Sequence, residues 1–164
     1  MAMKALKDGL VDELRDMLSA EQQITKALPK VIKKASSTDL KKALESHLEE
    51  TNQHVSRLKE ALSSLGASER SKTCDGMKGI LEENEDVLDK GEADIVDALA
   101  VAGCQKVEHY EIASYGTIIT WAETLGENGI VKLLAQTLNE EKAADEKLTK
   151  IAATVNREAV ATVA

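Results

Sequence analysis

Four glutamates, Glu21, Glu50, Glu108 and Glu141, stand on or at the edge of apolar helical stripes, where charged residues are uncommon. Glu108 is the clearest case. Around the stretch QKVEHYEIASYGTIITWAETLG (residues 105–126), Val101, Gln105, Glu108, Ile112, Tyr115, Ile119 and Ala122 recur at three- and four-residue steps, which trace one helix face. A carboxylate buried on such a face without a partner is costly. Four at one level would repel one another, and burial alone would raise their pKa values. One or two divalent cations remove the conflict by supplying the compensating charge.

Neighbouring residues extend the donor set. His54 and Asp145 follow Glu50 and Glu141 by four residues, and such pairs share a helix face. Glu111 adds an oxygen donor beside Glu108. Glu21, Glu50, His54, Glu108, Glu111, Glu141 and Asp145 are therefore the candidate ligands of a dinuclear carboxylate site. Glu50 and Glu141 read as bridges and Glu21 and Glu108 as terminal ligands, with the others completing or tuning the coordination. Oxygen-rich donors with a little imidazole suit two iron ions, with manganese or zinc as alternatives. His47 and His109 read as supporting or surface residues, and Tyr110, Tyr115 and Trp121 as packing residues. With 29 acidic residues in 164, one acid near a stripe is ordinary. The signal is that four share a height.

That height depends on the helices that carry them. The first is expected from about Lys4 to Ala35, with Leu6, Leu10, Leu14, Met17, Leu18, Ile24, Leu28 and Ile32 on one side and a bend near Pro29. The second follows the capping residues Ser36 and Ser37, carries Leu40, Leu44, Leu58, Leu62 and Leu65, and stops at Gly66. Residues 67–91 form a crossover with a short helix from Met77 to Leu88. The third long helix spans Ala93 to Leu125 and ends at Gly126. The fourth begins after Gly129 and runs to about Arg157, with residues 158–164 expected to fray. Each carboxylate lies near the middle of its helix, and antiparallel helices keep the same neighbours only at mid-height. Short links within each pair and one long connection between pairs predict an all-α, ferritin-like bundle of two antiparallel hairpins.

Composition agrees. Hydrophobic residues make up 43% and charged residues 30%, while aromatics reach 2%, Phe is absent and there is one proline; this favours helices over sandwiches or barrels. A chain of 164 residues suits one domain with a sizeable core. The formal net charge of -8 argues against nucleic acid or an anionic membrane as a partner. No run approaches the ~20 apolar residues of a membrane span. Cys74 and Cys104 form no CxxC pair and read as reduced thiols. The N-terminal MAMKALKDGLVDELRD lacks the apolar run of a signal peptide. The expected address is the cytoplasm.

The stretches LRDMLSAEQQITKALPK, HLEETNQHVSRL, KTCDGMKGILEE, QKVEHYEIASYGT and LAQTLNEEKAADEKL resemble the YciF-like family of bacterial stress-associated, ferritin-like proteins. The likeness runs from Leu6 to about Val155, and EHYEIASYG is its most specific element. It implies a ferritin-like bundle with an extra short helix, a homodimer and a di-iron centre with Glu21, Glu50, Glu108 and Glu141 as one carboxylate per helix. It implies no particular reaction. The Glu-x-x-His pattern of ferritin-like proteins is not intact: Gln53 and Ala144 stand three residues after Glu50 and Glu141, with His54 and Asp145 one residue later. Two functions compete. One is a dinuclear metal protein that reacts with oxygen or peroxide during stress; the other is a non-catalytic dimerisation or adaptor module whose mid-core acids are satisfied without metal. Iron storage is a third and weaker reading, since it needs a large cage.

Overall fold

The computed structural model describes residues 3–70 and 72–161, and these form five helices and no strand. They are α1 (Leu6–Lys34), α2 (Thr38–Ser64), α3 (Asp75–Lys90), α4 (Val96–Thr124) and α5 (Asn128–Ala161). Helices α1 and α2 form one hairpin, α4 and α5 the other. Around the bundle the neighbours run α1–α2–α5–α4–α1, and the crossover helix α3 lies against α1 and α4. This is the ferritin-like arrangement expected from the sequence.

Local chemistry sets the turns. Ser37 caps α2 by accepting from the Leu40 amide at 3.3 Å. Asp97, at the start of α4, accepts from the Ser36 and Ser37 amides, each at 2.8 Å, and from Ser36 Oγ at 2.5 Å. One carboxylate thus pins the α1–α2 turn to the opposite hairpin. Gly66 (φ 66°) and Gly126 (φ 74°) end α2 and α4 in the left-handed region, where a side chain would be strained. The following amides close back on Leu62 and Ala122, the Schellman arrangement. Cys74 opens α3: its Sγ accepts from the Met77 amide at 3.4 Å, and its own amide donates to Ser19 Oγ on α1 at 3.0 Å.

Several boundaries differ from expectation. Helix α3 extends two residues beyond each expected end, and α4 starts at Val96, after a turn at residues 93–95. Helix α5 starts at Asn128 and continues to Ala161, so residues 158–161 are helical rather than frayed; residues 162–164 lie outside the described residues. Helix α1 passes through Pro29 to Lys34.

The core is built on Leu, Ile, Val, Ala and Met, with Tyr115 as its one aromatic side chain among the fully buried residues. Helix α4 buries more than the one face traced in the sequence. It packs on α5, α3 and α1 at once, and a helix covered on several sides has apolar residues around most of its circumference. Both cysteines are buried free thiols. No described helix is long and apolar enough to cross a membrane.

Candidate metal centre

Six charged or titratable side chains meet at mid-bundle: Glu21 from α1, His47 and His54 from α2, Glu108 and Glu111 from α4, and Glu141 from α5. All are buried, with Glu21, His54, Glu111 and Glu141 fully so. They fall into two groups. His47, Glu108, Glu111 and Glu141 each offer a ligand atom within 4.8 Å of the others, and Glu21, His54 and Glu141 do the same. Glu141 belongs to both. The helix register explains the convergence. Alternating steps of four and three from Leu40 pass through Leu44, His47, Thr51, His54, Leu58 and Ala61, all buried. Glu108 and Glu111 are one turn apart on α4, and Glu141 lies one heptad from both Leu134 and Leu148 on α5.

Within this cluster most of the polar atoms approach one another without a hydrogen bond. Nine buried side-chain atoms have no hydrogen-bond partner among the described residues, and all nine belong to these six residues. They include both oxygens of Glu111, both of Glu141 and both ring nitrogens of His47. Buried polar groups in folded proteins are nearly always satisfied, so such a concentration calls for a missing charge. The inward contacts lie at His47 Nε2–Glu108 Oε1 3.2 Å, His54 Nδ1–Glu21 Oε1 3.3 Å and His54 Nδ1–Glu141 Oε1 2.9 Å. They are close enough for hydrogen bonds yet lack the alignment of one.

Burial pushes the Glu108 and Glu111 carboxyls well above the usual carboxylate range and raises Glu21 as well. Burial also opposes charge on the imidazoles, but the surrounding carboxylates outweigh it. They push His47 up to about 9 and His54 up to about 10. Left to itself, the cluster holds protons between its acids and its imidazoles. Divalent cations are the alternative source of positive charge. Two of them balance the four carboxylates, and three oxygen donors with one imidazole, or two with one, suit iron, manganese or zinc. The donor set therefore fits a dinuclear centre.

The outward side of each imidazole meets a further acid. His54 Nε2 lies 2.9 Å from Glu140 Oε2. Glu140 is gripped by both terminal nitrogens of Arg57, one at 3.1 Å, and by Gln136 Nε2 at 3.0 Å. Burial works against its ionised form, but these donors together hold its carboxyl down to about 2. His47 Nδ1 faces Glu50 Oε2 at 3.6 Å, an electrostatic approach rather than a hydrogen bond. The His47 ring holds the Glu50 carboxyl below its ordinary value. His54 thus carries the hydrogen-bonded carboxylate backing found behind metal-bound histidines, while Glu50 only approaches His47. On the far side, the Tyr115 hydroxyl, fully buried, donates to Glu21 Oε1.

Of the seven sequence candidates, Glu21, His54, Glu108, Glu111 and Glu141 come together. Glu50 and Asp145 stand outside both groups. Glu50 is 39% exposed, because it sits beside the His47–Thr51–His54 line rather than on it. Its place behind His47 differs from the bridging role expected of it. Asp145 turns toward α4, accepting from Gln105 Nε2 at 3.1 Å and lying 3.4 Å from the exposed His109. His47, expected to be a supporting or surface residue, is buried inside the cluster. The four–three alternation from Leu40 was the sequence signal that places it there. Tyr115 packs, as expected, but also touches the site. Glu140 and Arg57 carried no sequence signal, since a largely buried ion pair between α2 and α5 has no characteristic spacing.

The model of a domain of unknown function, DUF892, matches residues 5–161. The chain belongs to the DUF892 family. It is 44% identical over 154 residues to protein YciF of Escherichia coli K12, covering 93% of each sequence. The crystal structure of the E. coli stress protein YciF superposes with a TM-score of 0.90 at 41% identity, covering 94% of this chain and 99% of that one. YcfI from Rhodopseudomonas palustris matches with a TM-score of 0.86 at 46% identity, over 89% and 94% of the two chains. The YciF-like resemblance in the five sequence stretches is thus matched along nearly the whole of this DUF892 chain.

Proposed function

We propose that this chain binds two divalent transition-metal ions at mid-bundle and uses them in a reaction with oxygen or peroxide during stress. The observation that carries the reading is the set of nine unpartnered polar atoms confined to six converging residues. Iron is the preferred metal, and manganese or zinc would suit the same donors. When bound, the ions supply Lewis acidity and, for iron or manganese, a redox couple.

The chain's own residues divide the work. Glu141, present in both groups, would serve both ions, with Glu21 and His54 available to one and His47, Glu108 and Glu111 to the other. Glu140, kept ionised by Arg57, draws the His54 ring proton to Nε2 and leaves the Nδ1 lone pair facing inward. Tyr115 fixes one oxygen of Glu21. The description of the E. coli relative as a stress protein supports the stress setting. Two free buried thiols suit a reducing cytoplasm, and a homodimer is the assembly we assign.

The test is anaerobic loading with ferrous iron, elemental analysis, and then addition of oxygen or hydrogen peroxide. Uptake of about two metals per chain, as in other carboxylate bundles, followed by oxidant-dependent spectral change and oxidant consumption, is expected. Protein that takes up no metal overturns the reading.

A metal-free adaptor or dimerisation module has one observation in its favour. The two imidazoles already approach the acids and are held toward their charged forms, which offsets part of the buried negative charge without a metal. It predicts background metal content and no metal-dependent rise in melting temperature.

A further inference from the structure

A cavity of about 420 Å³ runs between α1, α3 and α4 and ends on the candidate metal centre. Its inner wall includes His47 and Glu108, which also belong to the first ligand group. Its body is apolar, formed by Ile24, Leu28, Leu81, Leu88, Ala100 and Val107. Its outer end carries Lys30, Lys33 and Lys34, all exposed. The volume falls in the range of pockets that enclose small organic ligands, ~300–1,000 Å³. Oxygen or peroxide would need only a small fraction of it.

The charge pattern says which way a ligand lies. Lys30 pairs with Glu85 at 2.7 Å and Lys34 pairs with Asp89, both bridging α1 to α3 across the mouth. Lys33 has no acidic partner among the described residues, so the mouth keeps one spare positive charge. Deeper in the bundle, two divalent ions would balance the charge of the four carboxylates. An anionic head therefore finds its counter-charge at the mouth and not at the metals. Along α1, the nine residue steps from Ile24 to Lys33 span about 14 Å, comparable to a medium-chain acyl group.

We propose that this cavity binds an amphipathic monoanion with a medium-length hydrocarbon chain, its head at Lys33 and its tail directed toward Glu108 and His47. The cavity itself does not depend on the metal, but the orientation rests on the dinuclear reading. The ligand's tail is the part brought to the metals, so the site is built to present hydrocarbon rather than a polar group to them.

The test uses decanoate and titration calorimetry on protein of measured metal content, in metal-free and zinc-loaded forms. Saturable one-to-one binding is expected in both. Ala27→Trp, on the half-buried wall of α1, should abolish it; Leu81→Trp on α3 serves if the first variant does not fold by circular dichroism. Lys33→Glu should weaken binding about fivefold, the equivalent of roughly 1 kcal/mol, and decanol should bind more weakly than decanoate. In manganese-loaded protein the methyl end of decanoate should relax faster than the carbons beside the carboxylate, with no such contrast in zinc-loaded protein. Failure of decanoate to bind protein that holds two metals overturns the proposal and leaves the metal reading standing. Undiminished binding to folded Ala27→Trp or Leu81→Trp, equal binding of decanol, or the opposite relaxation gradient also overturns it. Decanoate binding to protein that takes up no metal supports the pocket while removing the dinuclear reading.

Discussion

Replacing Glu111 with leucine should make the protein more stable without metal and less stable with it. Glu111 is fully buried, neither carboxyl oxygen has a hydrogen-bond partner, and burial with Glu141, Glu21 and Glu108 nearby pushes its carboxyl well above the usual range. A buried polar group left unsatisfied costs about 1–3 kcal/mol, and exchanging buried charge for apolar bulk of similar volume often stabilises by a comparable amount. A gain of about 2 kcal/mol in a chain of this length corresponds to a rise of roughly 4–8 °C in Tm. Metal acts in the other direction. An ion present at 100 times its Kd stabilises the wild type by about 2.7 kcal/mol, and losing one donor from a four-residue group removes much of that. The assay is thermal denaturation of wild type and Glu111→Leu, each in chelator and in excess ferrous iron or zinc. The two proteins should change rank between the two conditions. A variant less stable than wild type in chelator, or one that keeps the full metal-dependent rise, refutes the argument.

Other outcomes follow from the same contacts. Metal-free protein should lose stability as pH rises. Both the His47 and His54 values, raised to about 9 and about 10, and the raised Glu21, Glu108 and Glu111 values favour the protonated folded state, so their contribution is full at low pH and fades as pH climbs through the folded values. Metal affinity should increase over the same range, because binding displaces those protons; calorimetry in two buffers of different ionisation enthalpy would show the release. Glu140→Gln should weaken metal binding by roughly 10- to 100-fold while Tm in chelator moves much less, as expected of an outer partner of a metal-bound imidazole; competition with a chromogenic chelator measures it. Asp97→Ala removes three contacts to the α1–α2 turn and should cost about 2 kcal/mol in denaturant unfolding with metal content unchanged.

Much of the bundle was legible in the sequence because its signals are local. The stop at Gly66, the stop at Gly126 and the cap at Ser37 depend on residues a few positions apart, and the long stripes declare four helices. The candidate site was legible where an acid falls in the middle of a stripe, as Glu21, Glu108 and Glu141 do. It was harder to read on α2, where both an acid and imidazoles compete for the inward positions. Counting from Leu40 favours His47 and His54 over Glu50, but the expectation of one carboxylate per helix pulled toward Glu50. The remaining parts were not legible for physical reasons. Glu140 meets Arg57 across two helices, Tyr115 reaches Glu21 over 94 positions of sequence, and the cavity beside α3 depends on where the crossover helix settles. None of these leaves a periodic trace.

The central claim is that two ions sit among six named residues, and anomalous-difference crystallography of the natively purified protein tests it most directly. Two peaks per chain are predicted, one coordinated by His47, Glu108, Glu111 and Glu141 and the other by Glu21, His54 and Glu141, with Glu141 touching both. Mid-bundle density with no anomalous signal, or a metal held by Glu50 or Asp145 in place of His47, would contradict it.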